Sequence, residues 1–347
     1  MISKKLLLIP LLMTLVACGN GKTKDKYEPN LTYEKEHHKV DDGFVMDGVL
    51  NEPEYASKKH FQGKKVSGEE WATIDWSMYF GNEGVYMGFD VTENTAIYVN
   101  PFRSTFINSG LELYLFPTTA TTYASPYTLE IDLVADGTLL VKRNIGSSAY
   151  GACEIEDANN PYLVTTRKES VQNEYGETIN GYIHEFFMPY TFFQRLGFVD
   201  KDEKINEFHA DIVHIASKNY EGNNSGIDRN YYSFANRQLD AGVAWTKPQR
   251  TYLFNKDVGF VCYDINLEVE GPGEAYEIHG YNFVVPQNSA VFTIKPNGKR
   301  VANIKTATVN GVDVVASIGK TYEEGVYELR INYTLITGDL NIKIVFN

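Results

Sequence analysis

The clearest pattern in the chain is a strict alternation of apolar and polar positions in short segments. The segment 111–116 carries three leucines on one side and Glu112, Tyr114 and Phe116 on the other. A period of two predicts a β-strand, because successive side chains of a strand point to opposite faces. The leucine side is therefore predicted to face a core. The other side predicts a shallow, wet groove, because a carboxylate in a dry interior is costly.

The same alternation recurs along the first two thirds of the chain, in runs of five to nine residues with Gly, Asn and Asp turns between them. The predicted strands are 72–80, 85–91, 111–116, 127–133, 138–143, 161–168, 181–189 and 208–216. Only one short helical turn is predicted, after Pro189. This pattern predicts an all-β antiparallel β-sandwich. Four acidic residues fall on the sides without leucines, and they are Asp90, Glu112, Glu130 and Asp132. If their strands are neighbours, one sheet presents an acidic face. The alternative is ordinary solvent-facing polarity.

The composition changes twice in the second half of the chain. Residues 217–252 are rich in Asn, Gly, Tyr and Arg and alternate little, and we expect this long segment to line a ligand site. The chain becomes rich in Gly and Pro near residues 264–273, and short strands then continue to the last residue. The prediction is a sandwich over residues 40–258, followed by a small immunoglobulin-like β domain over 259–347. A chain of 347 residues that is 43% hydrophobic is long enough for two such cores.

The first residues have the pattern of a secretory signal. Lys4 and Lys5 precede a short apolar run that ends directly at Cys18. This run is too short to span a membrane as a stable helix, and its end resembles a bacterial lipobox. We expect residues 1–17 to be a lipoprotein signal peptide, Cys18 to be lipidated and residues 18–39 to be a flexible tether. The protein would then sit on the extracytoplasmic face of a bacterial cell membrane. A plain signal peptide with an incidental cysteine is the alternative.

Charge and cysteine content narrow the set of partners. The formal net charge of −13 argues against nucleic acid or an anionic membrane surface as the main partner. This negative charge is compatible with neutral polar ligands, or it only keeps the protein soluble. Cys153 and Cys262 are far apart in the sequence, so two free thiols are predicted, with a disulfide as the alternative. No cysteine pair has the spacing of a metal site.

Six segments, in order, resemble the family 9 carbohydrate-binding modules and their relatives among the DOMON-like sandwiches. They are VMDGVLNEPEY, GVYMGFDVTEN, NSGLELYLFP, YTLEIDLVADGT, GYIHEFFMPYTFF and WTKPQRTYLF. The resemblance covers roughly residues 40–258. It implies a β-sandwich that binds carbohydrate without catalysis.

The resemblance also implies a set of ligand-binding residues. Phe106 and Trp245 correspond to the two aromatic residues that clamp the terminal sugar. Glu112 corresponds to the strand glutamate that bonds sugar hydroxyls, and Glu93 to the acidic residue that closes the preceding strand. Where sugar-binding members can carry an arginine, this chain has Glu130. Stacking of sugar C–H faces on aromatic rings, with hydroxyls paired to carboxylates, agrees with this assignment.

Other chemistry has weaker support in the sequence. Some DOMON-like sandwiches hold haem through Met and His. Met87 and His214 would be that pair, but Met87 is predicted to face the core. His214 stays among the ligand-binding candidates. Some members of the family hold structural calcium, for which the sequence identifies no ligands. Catalytic motifs are absent, although Glu112 and Glu130 could mimic a glycosidase pair.

The sequence thus favours a carbohydrate-binding lipoprotein that is not an enzyme. The alternatives are an adhesion or scaffold lipoprotein without sugar binding and, less favoured, a glycoside-processing enzyme.

Overall fold

A computed structural model provides the coordinates of the chain. It describes residues 38–39, 44–55, 58–65, 71–102, 104–117, 128–144, 150–157, 160–173, 176–217, 229–233, 252–271, 276–279, 282–284, 289–296, 303–320 and 326–347. Over these ranges the regular structure is almost entirely β, with antiparallel pairing in nearly every case. The all-β prediction is confirmed. Within the same ranges no helix has the length and apolar character that crossing a membrane requires.

The described residues of the first unit form sixteen strands and three short helical turns. The strands are β1 (His38–Lys39), β2 (Val45–Met46), β3 (Lys59–Lys65), β4 (Trp71–Phe80), β5 (Gly84–Glu93), β6 (Gly110–Phe116), β7 (Thr128–Val134), β8 (Leu139–Asn144), β9 (Tyr150–Asp157), β10 (Leu163–Arg167), β11 (Val171–Gln172), β12 (Thr178–Pro189), β13 (Glu207–Ser217), β14 (Arg229–Ser233), β15 (Tyr252–Asn255) and β16 (Gly259–Phe260). The turns are 3-10 helices at Pro53–Tyr55 and Thr105–Ile107, and α1 (Tyr190–Arg195).

Strands β1 and β2 form a separate two-stranded sheet, and the other strands of this unit form one folded sheet. The order β10-β12-β5-β4-β3 makes one half, β14 connects it to the other half, and that half runs β13-β6-β7-β8-β9. Apolar side chains from both halves belong to one buried cluster, so the halves pack face to face as a sandwich. Leu111, Leu113 and Leu115 lie in this cluster. The leucine side of β6 therefore faces the core, as the alternation predicts.

The acidic face differs from the prediction at one residue. Asp90 lies on β5, between Asp75 of β4 and Ile183 of β12. These strands belong to the other half of the sheet, and Asp90 forms an ion pair with Lys168. The prediction that Asp90 shares a face with the other three acidic residues is therefore wrong. Strand alternation gives the side of each residue but does not give which strands are neighbours.

The second unit is a smaller two-layer β structure. One sheet has the order β19-β17-β25-β21-β22 and the other β18-β20-β24-β23. The strands are β17 (Tyr263–Glu270), β18 (Tyr276–His279), β19 (Phe283–Val284), β20 (Ala290–Pro296), β21 (Ile304–Val309), β22 (Val312–Asp313), β23 (Ile318–Lys320), β24 (Tyr327–Ile331) and β25 (Leu340–Phe346), with 3-10 turns at Val315–Ser317 and Tyr333–Leu335. Apolar residues of both sheets form a buried cluster separate from that of the first unit. The stretch near residue 264 is a strand, β17, and it pairs in parallel with β25.

The two units are in contact. Phe283 of the second unit belongs to the core of the first, and its ring lies 5.0 Å from that of Phe61. Lys59 of β3 is 2.6 Å from Asp264 of β17. Cys262, next to this contact, is a free thiol whose pKa is raised by burial. Cys153 lies on β9, and its side chain is outside the described residues.

Candidate functional site

The strand register brings three carboxylates together on the outer face of β6 and β7. Glu112 lies directly opposite Asp132, and Tyr114 lies directly opposite Glu130. Glu130 is in turn opposite Lys142 of β8. Residues directly opposite each other on antiparallel strands share a face. Because the leucines of the same strands face the core, these polar side chains point away from it.

We call Glu112, Glu130 and Asp132 the acidic cluster. One carboxylate oxygen from each residue lies within 4.8 Å of the corresponding oxygens of the other two. The Lys142 ammonium is 2.7 Å from Glu130 Oε1 and 3.8 Å from Asp132 Oδ2. The Tyr114 hydroxyl donates a hydrogen bond of 2.7 Å to Glu112 Oε2. The three acidic side chains and the lysine are thus one connected network.

The acidic cluster is nearly dry. Glu112 is 5% exposed, Glu130 6% and Asp132 2%, and Lys142 is equally buried. The expected shallow, wet groove is therefore wrong for this face within the described residues. Burial raises the pKa of Glu112 to about 8, and the charges of Asp132 and Glu130 act in the same direction. At neutral pH Glu112 is mostly protonated, so its carboxyl group can donate as well as accept a hydrogen bond.

A 3-10 turn attaches the predicted aromatic residue to this face. Phe106 is the central residue of the turn Thr105–Ile107 and is half-buried. The Thr105 hydroxyl donates a hydrogen bond to Asp132 Oδ2. After the turn, the buried Ser109 hydroxyl accepts a hydrogen bond of 2.9 Å from the backbone N–H of Tyr98. These bonds bring the turn that carries Phe106 to the acidic cluster.

Glu93 and His214 occupy a different place. Both are completely buried, and His214 Nε2 lies 3.2 Å from Glu93 Oε1. His214 follows Ile212 and Ala210 on the core side of β13, so the pair lies between the two halves of the sandwich. The ring of Tyr182 is nearly parallel to that of His214, with their centres 6.5 Å apart. The structure therefore places these two predicted residues beside each other in the core. It does not place them on the outer face of β6 and β7, where Glu112 lies. Met87 lies in the apolar core, as predicted.

Two of the predicted residues lie outside the described part of the chain. They are Trp245, the second predicted aromatic of the sugar clamp, and Cys18, the predicted lipidation site. Most of the predicted ligand loop, residues 217–252, also lies there, except Ser217 at the end of β13, the strand β14 and Tyr252 at the start of β15. The roles of all the candidate residues stay predictions.

Lys142 and Thr105 belong to the network but were not singled out from the sequence. A usable signal existed for Lys142. The turn at Asp136 and Gly137 joins β7 to β8, and the resulting register places Glu130 opposite Lys142 as a cross-strand pair of opposite charge. Thr105 had no such signal, because its contact depends on how the turn before β6 folds over β7.

A second buried carboxylate lies on the outer face of the other half. Glu185 of β12 accepts a hydrogen bond from the backbone N–H of Gly48. Burial raises its pKa to about 8, and the charges of Glu52 and Asp47 add to this effect. Its carboxylate attaches the segment before β3 to the sheet.

Two similar solved structures are a family 9 carbohydrate-binding module from Caldicellulosiruptor kristjanssonii in complex with cellotriose and the same kind of module from that organism in complex with glucose. The first is 10% identical at a TM-score of 0.36, over 61% of this chain and 89% of the other. The second is 9% identical at a TM-score of 0.36, over 65% and 92%. Their family is the one that the six sequence segments resemble. No family model and no curated protein matches the chain.

Proposed function

We propose that the first unit binds carbohydrate at the outer face of β6 and β7, beside the turn Thr105–Ile107. The observation that carries this proposal is the hydrogen bond from Thr105 to Asp132. This bond holds the half-buried ring of Phe106 on a turn next to Glu112 and its carboxylate neighbours. A pyranose ring fits a site that combines an aromatic ring with carboxyl groups. Its C–H face stacks on aromatic rings, and its hydroxyls need hydrogen-bond partners.

The state of Glu112 suits a neutral ligand. A protonated carboxyl group can donate to one sugar oxygen and accept from another hydroxyl, whereas two ionised carboxylates can only accept. With its pKa near 8, Glu112 offers both roles at neutral pH. The proposed role is binding without catalysis, because Glu130 already contacts Lys142 and is not placed as an independent acid or base.

Glucose and cellotriose, the sugars in the two similar structures, are the first ligands to test by titration calorimetry, followed by a glycan array. We expect Phe106→Ala to abolish the binding of whichever sugar binds and to leave the thermal midpoint nearly unchanged. Phe102→Ala is the matched control, because Phe102 is a phenylalanine four residues earlier that is 78% exposed. Equal losses in both variants, or a large drop in stability for Phe106→Ala, would count against stacking at Phe106.

A second candidate is an adhesion or scaffold protein whose sandwich binds no sugar. It is favoured by the burial of Glu93 and His214, which bond each other inside the core and leave no surface for a ligand. A folded chain that gives a blank glycan array supports this reading. Binding that depends on Phe106 excludes it.

We also propose that the protein is anchored to the outer side of a bacterial membrane through a lipid on Cys18. The proposal is supported by the basic, apolar and lipobox-like pattern of residues 1–18. Cells that express the chain should incorporate labelled palmitate into it, and Cys18→Ser should abolish the label. Label that persists in Cys18→Ser would contradict lipidation at this position.

A further inference from the structure

We propose that Lys142 and Asp132 react with each other and form an intramolecular amide bond between β8 and β7. The two side chains are diagonal neighbours on the outer face, because Asp132 pairs with Leu140 and Lys142 lies two residues further along β8. Lys142 Nζ is 3.8 Å from Asp132 Oδ2, which is the separation of two unbonded groups before a reaction. The inference concerns a reaction of the chain with itself and does not depend on sugar binding.

Burial of both partners is the first argument. Lys142 and Asp132 are each 2% exposed. Taking an ammonium and a carboxylate out of water is costly, and their attraction offsets this cost only when the geometry is very good. An amide carries no charge and avoids the cost. In addition, two groups that a fold holds side by side react as if each were present at about 10⁵–10⁸ M. Condensation is therefore favoured at this site.

Glu130 is placed to act as the base. An ammonium group has no free electron pair, so Lys142 must lose a proton before its nitrogen can attack a carboxyl carbon. Glu130 lies directly opposite Lys142, and its Oε1 is 2.7 Å from Nζ. This carboxylate accepts the proton. Lys142 is then a neutral amine beside the carboxyl group of Asp132.

The surroundings of Asp132 supply the acid. A negatively charged carboxylate resists attack by an amine, so its oxygens must be protonated or hydrogen-bonded. The Thr105 hydroxyl donates to Oδ2, whereas Oδ1 is buried and has no hydrogen-bond partner. Glu112 lies directly opposite Asp132, and with a pKa of about 8 it is mostly protonated at neutral pH. Its Oε2 accepts from Tyr114, which leaves Oε1 to carry the proton towards Asp132.

The reaction balances without a further reactant. Lys142 Nζ forms a bond to Asp132 Cγ, and one Cγ–O bond breaks. The nitrogen gives one proton to Glu130 before the attack and one to Glu112 after it. The departing oxygen takes one proton from each of these two residues and leaves as water. The products are a neutral amide and one water molecule, and Glu112 and Glu130 return to their starting protonation states.

The second unit contains an internal comparison for this chemistry. Lys343 also contacts two carboxylates, Glu268 at 3.2 Å and Glu270. Its side chain is 39% exposed, and those of the two glutamates are 64% and 50% exposed. Water stabilises the separate ions there, so we expect no bond at Lys343. Proximity of a lysine to two acidic groups is thus the same in both places, and burial differs.

The test is a peptide map of the purified full-length chain by mass spectrometry. A protease that cuts before Asp136 places Asp132 and Lys142 on different peptides, because Asp136 lies between them in the sequence. The parent chain should yield these two peptides joined, with the mass of one water molecule missing from their sum. Fragmentation of the joined pair should locate the bond at Asp132 and Lys142. The peptide that contains Lys343 should be unlinked.

Variants assign the roles. Lys142→Arg keeps the positive charge, but a guanidinium group is not deprotonated in proteins and should give only unlinked peptides. Glu112→Gln keeps the size of the side chain and removes its acidic proton, so the bond should form at least about 100-fold more slowly. Asp132→Asn should lose ammonia instead of water and give the same linked chain. Lys343→Arg is the matched control and should be linked like the parent.

Three results overturn the proposal. The first is a folded parent chain that yields only unlinked peptides. The second is a bond between Lys142 and Glu130, which Asp132→Asn would also reveal by losing water like the parent; Asp132 would then not be the acceptor. The third is formation of the bond in Glu112→Gln at the rate of the parent, which would remove the acid from the reaction. Peptide masses are read without any sugar, so failure of this proposal is distinguishable from failure of sugar binding.

Discussion

The acidic cluster and the Glu93–His214 pair are both buried polar sites in the same sandwich, but they differ in charge balance. The pair joins one carboxylate to one imidazole at 3.2 Å, inside the core. The acidic cluster sets three carboxylates against one lysine on the outer face of the sheet. The pair sets one acidic group against one imidazole, whereas the cluster sets three acidic groups against one ammonium and leaves Asp132 Oδ1 without a hydrogen-bond partner. The two sites are therefore equally buried but differ in the balance of acidic and basic groups.

The largest effect is expected from Lys142→Met. This change keeps the length of the side chain and removes its charge from the acidic cluster. Removing one partner of a buried ion pair costs about 3–5 kcal/mol, because the other charge is left uncompensated. Urea unfolding should show a loss of this size. A change below about 1 kcal/mol would mean that Lys142 does not balance the cluster.

This prediction could only partly be reached from the sequence. Alternation gave the strands, their inward and outward sides, and the acidic character of the outer face. It could not tell that β7 neighbours β6 while β5 lies in the other half, which is why Asp90 was grouped wrongly. Strand order depends on contacts between residues far apart in the sequence, and no local pattern encodes them. Burial depends in addition on what covers the face, such as the turn held by Thr105.

A similar loss, somewhat smaller, is expected when the Glu93–His214 pair is broken. His214→Ala removes the imidazole beside Glu93 and also opens a cavity in the core, at a cost of about 2–4 kcal/mol. Because the pair is internal, sugar binding by the remaining folded protein should be unchanged. The measurement is urea unfolding together with calorimetry under stabilising conditions. Sugar affinity that disappears while stability stays constant would place His214 in the ligand site after all.

A pH-dependent effect should separate the two regions further. The folded pKa of Glu112, about 8, lies above its ordinary value of 4.5, so the protonated form stabilises the fold. Its contribution is complete below about pH 4.5 and is lost as the pH rises towards 8. Glu185 behaves in the same way. The free energy of unfolding should therefore fall between pH 5 and pH 8.

Neutral variants assign this pH dependence. Glu112→Gln should remove one part of the fall, and Glu185→Gln the other, because an amide does not titrate. Chemical unfolding at several pH values measures each slope. If the slope of Glu112→Gln equals that of the parent chain, Glu112 is ionised across this range and the acidic cluster carries more charge than we infer.

The smallest effect is expected at an exposed ion pair with equally short geometry. Lys59 and Asp264 are 2.6 Å apart, close to the 2.7 Å between Lys142 and Glu130, but the Asp264 side chain is 61% exposed. Water screens such a pair, and exposed pairs contribute about 0–1 kcal/mol. Asp264→Asn should therefore change the free energy of unfolding by no more than this, although it joins the two units. If Asp264→Asn lost as much free energy of unfolding as Lys142→Met, the distance between the charges would determine the strength of both pairs. Exposure to water would then have little influence. The contrast drawn between the acidic cluster and the Glu93–His214 pair would then need a different physical basis.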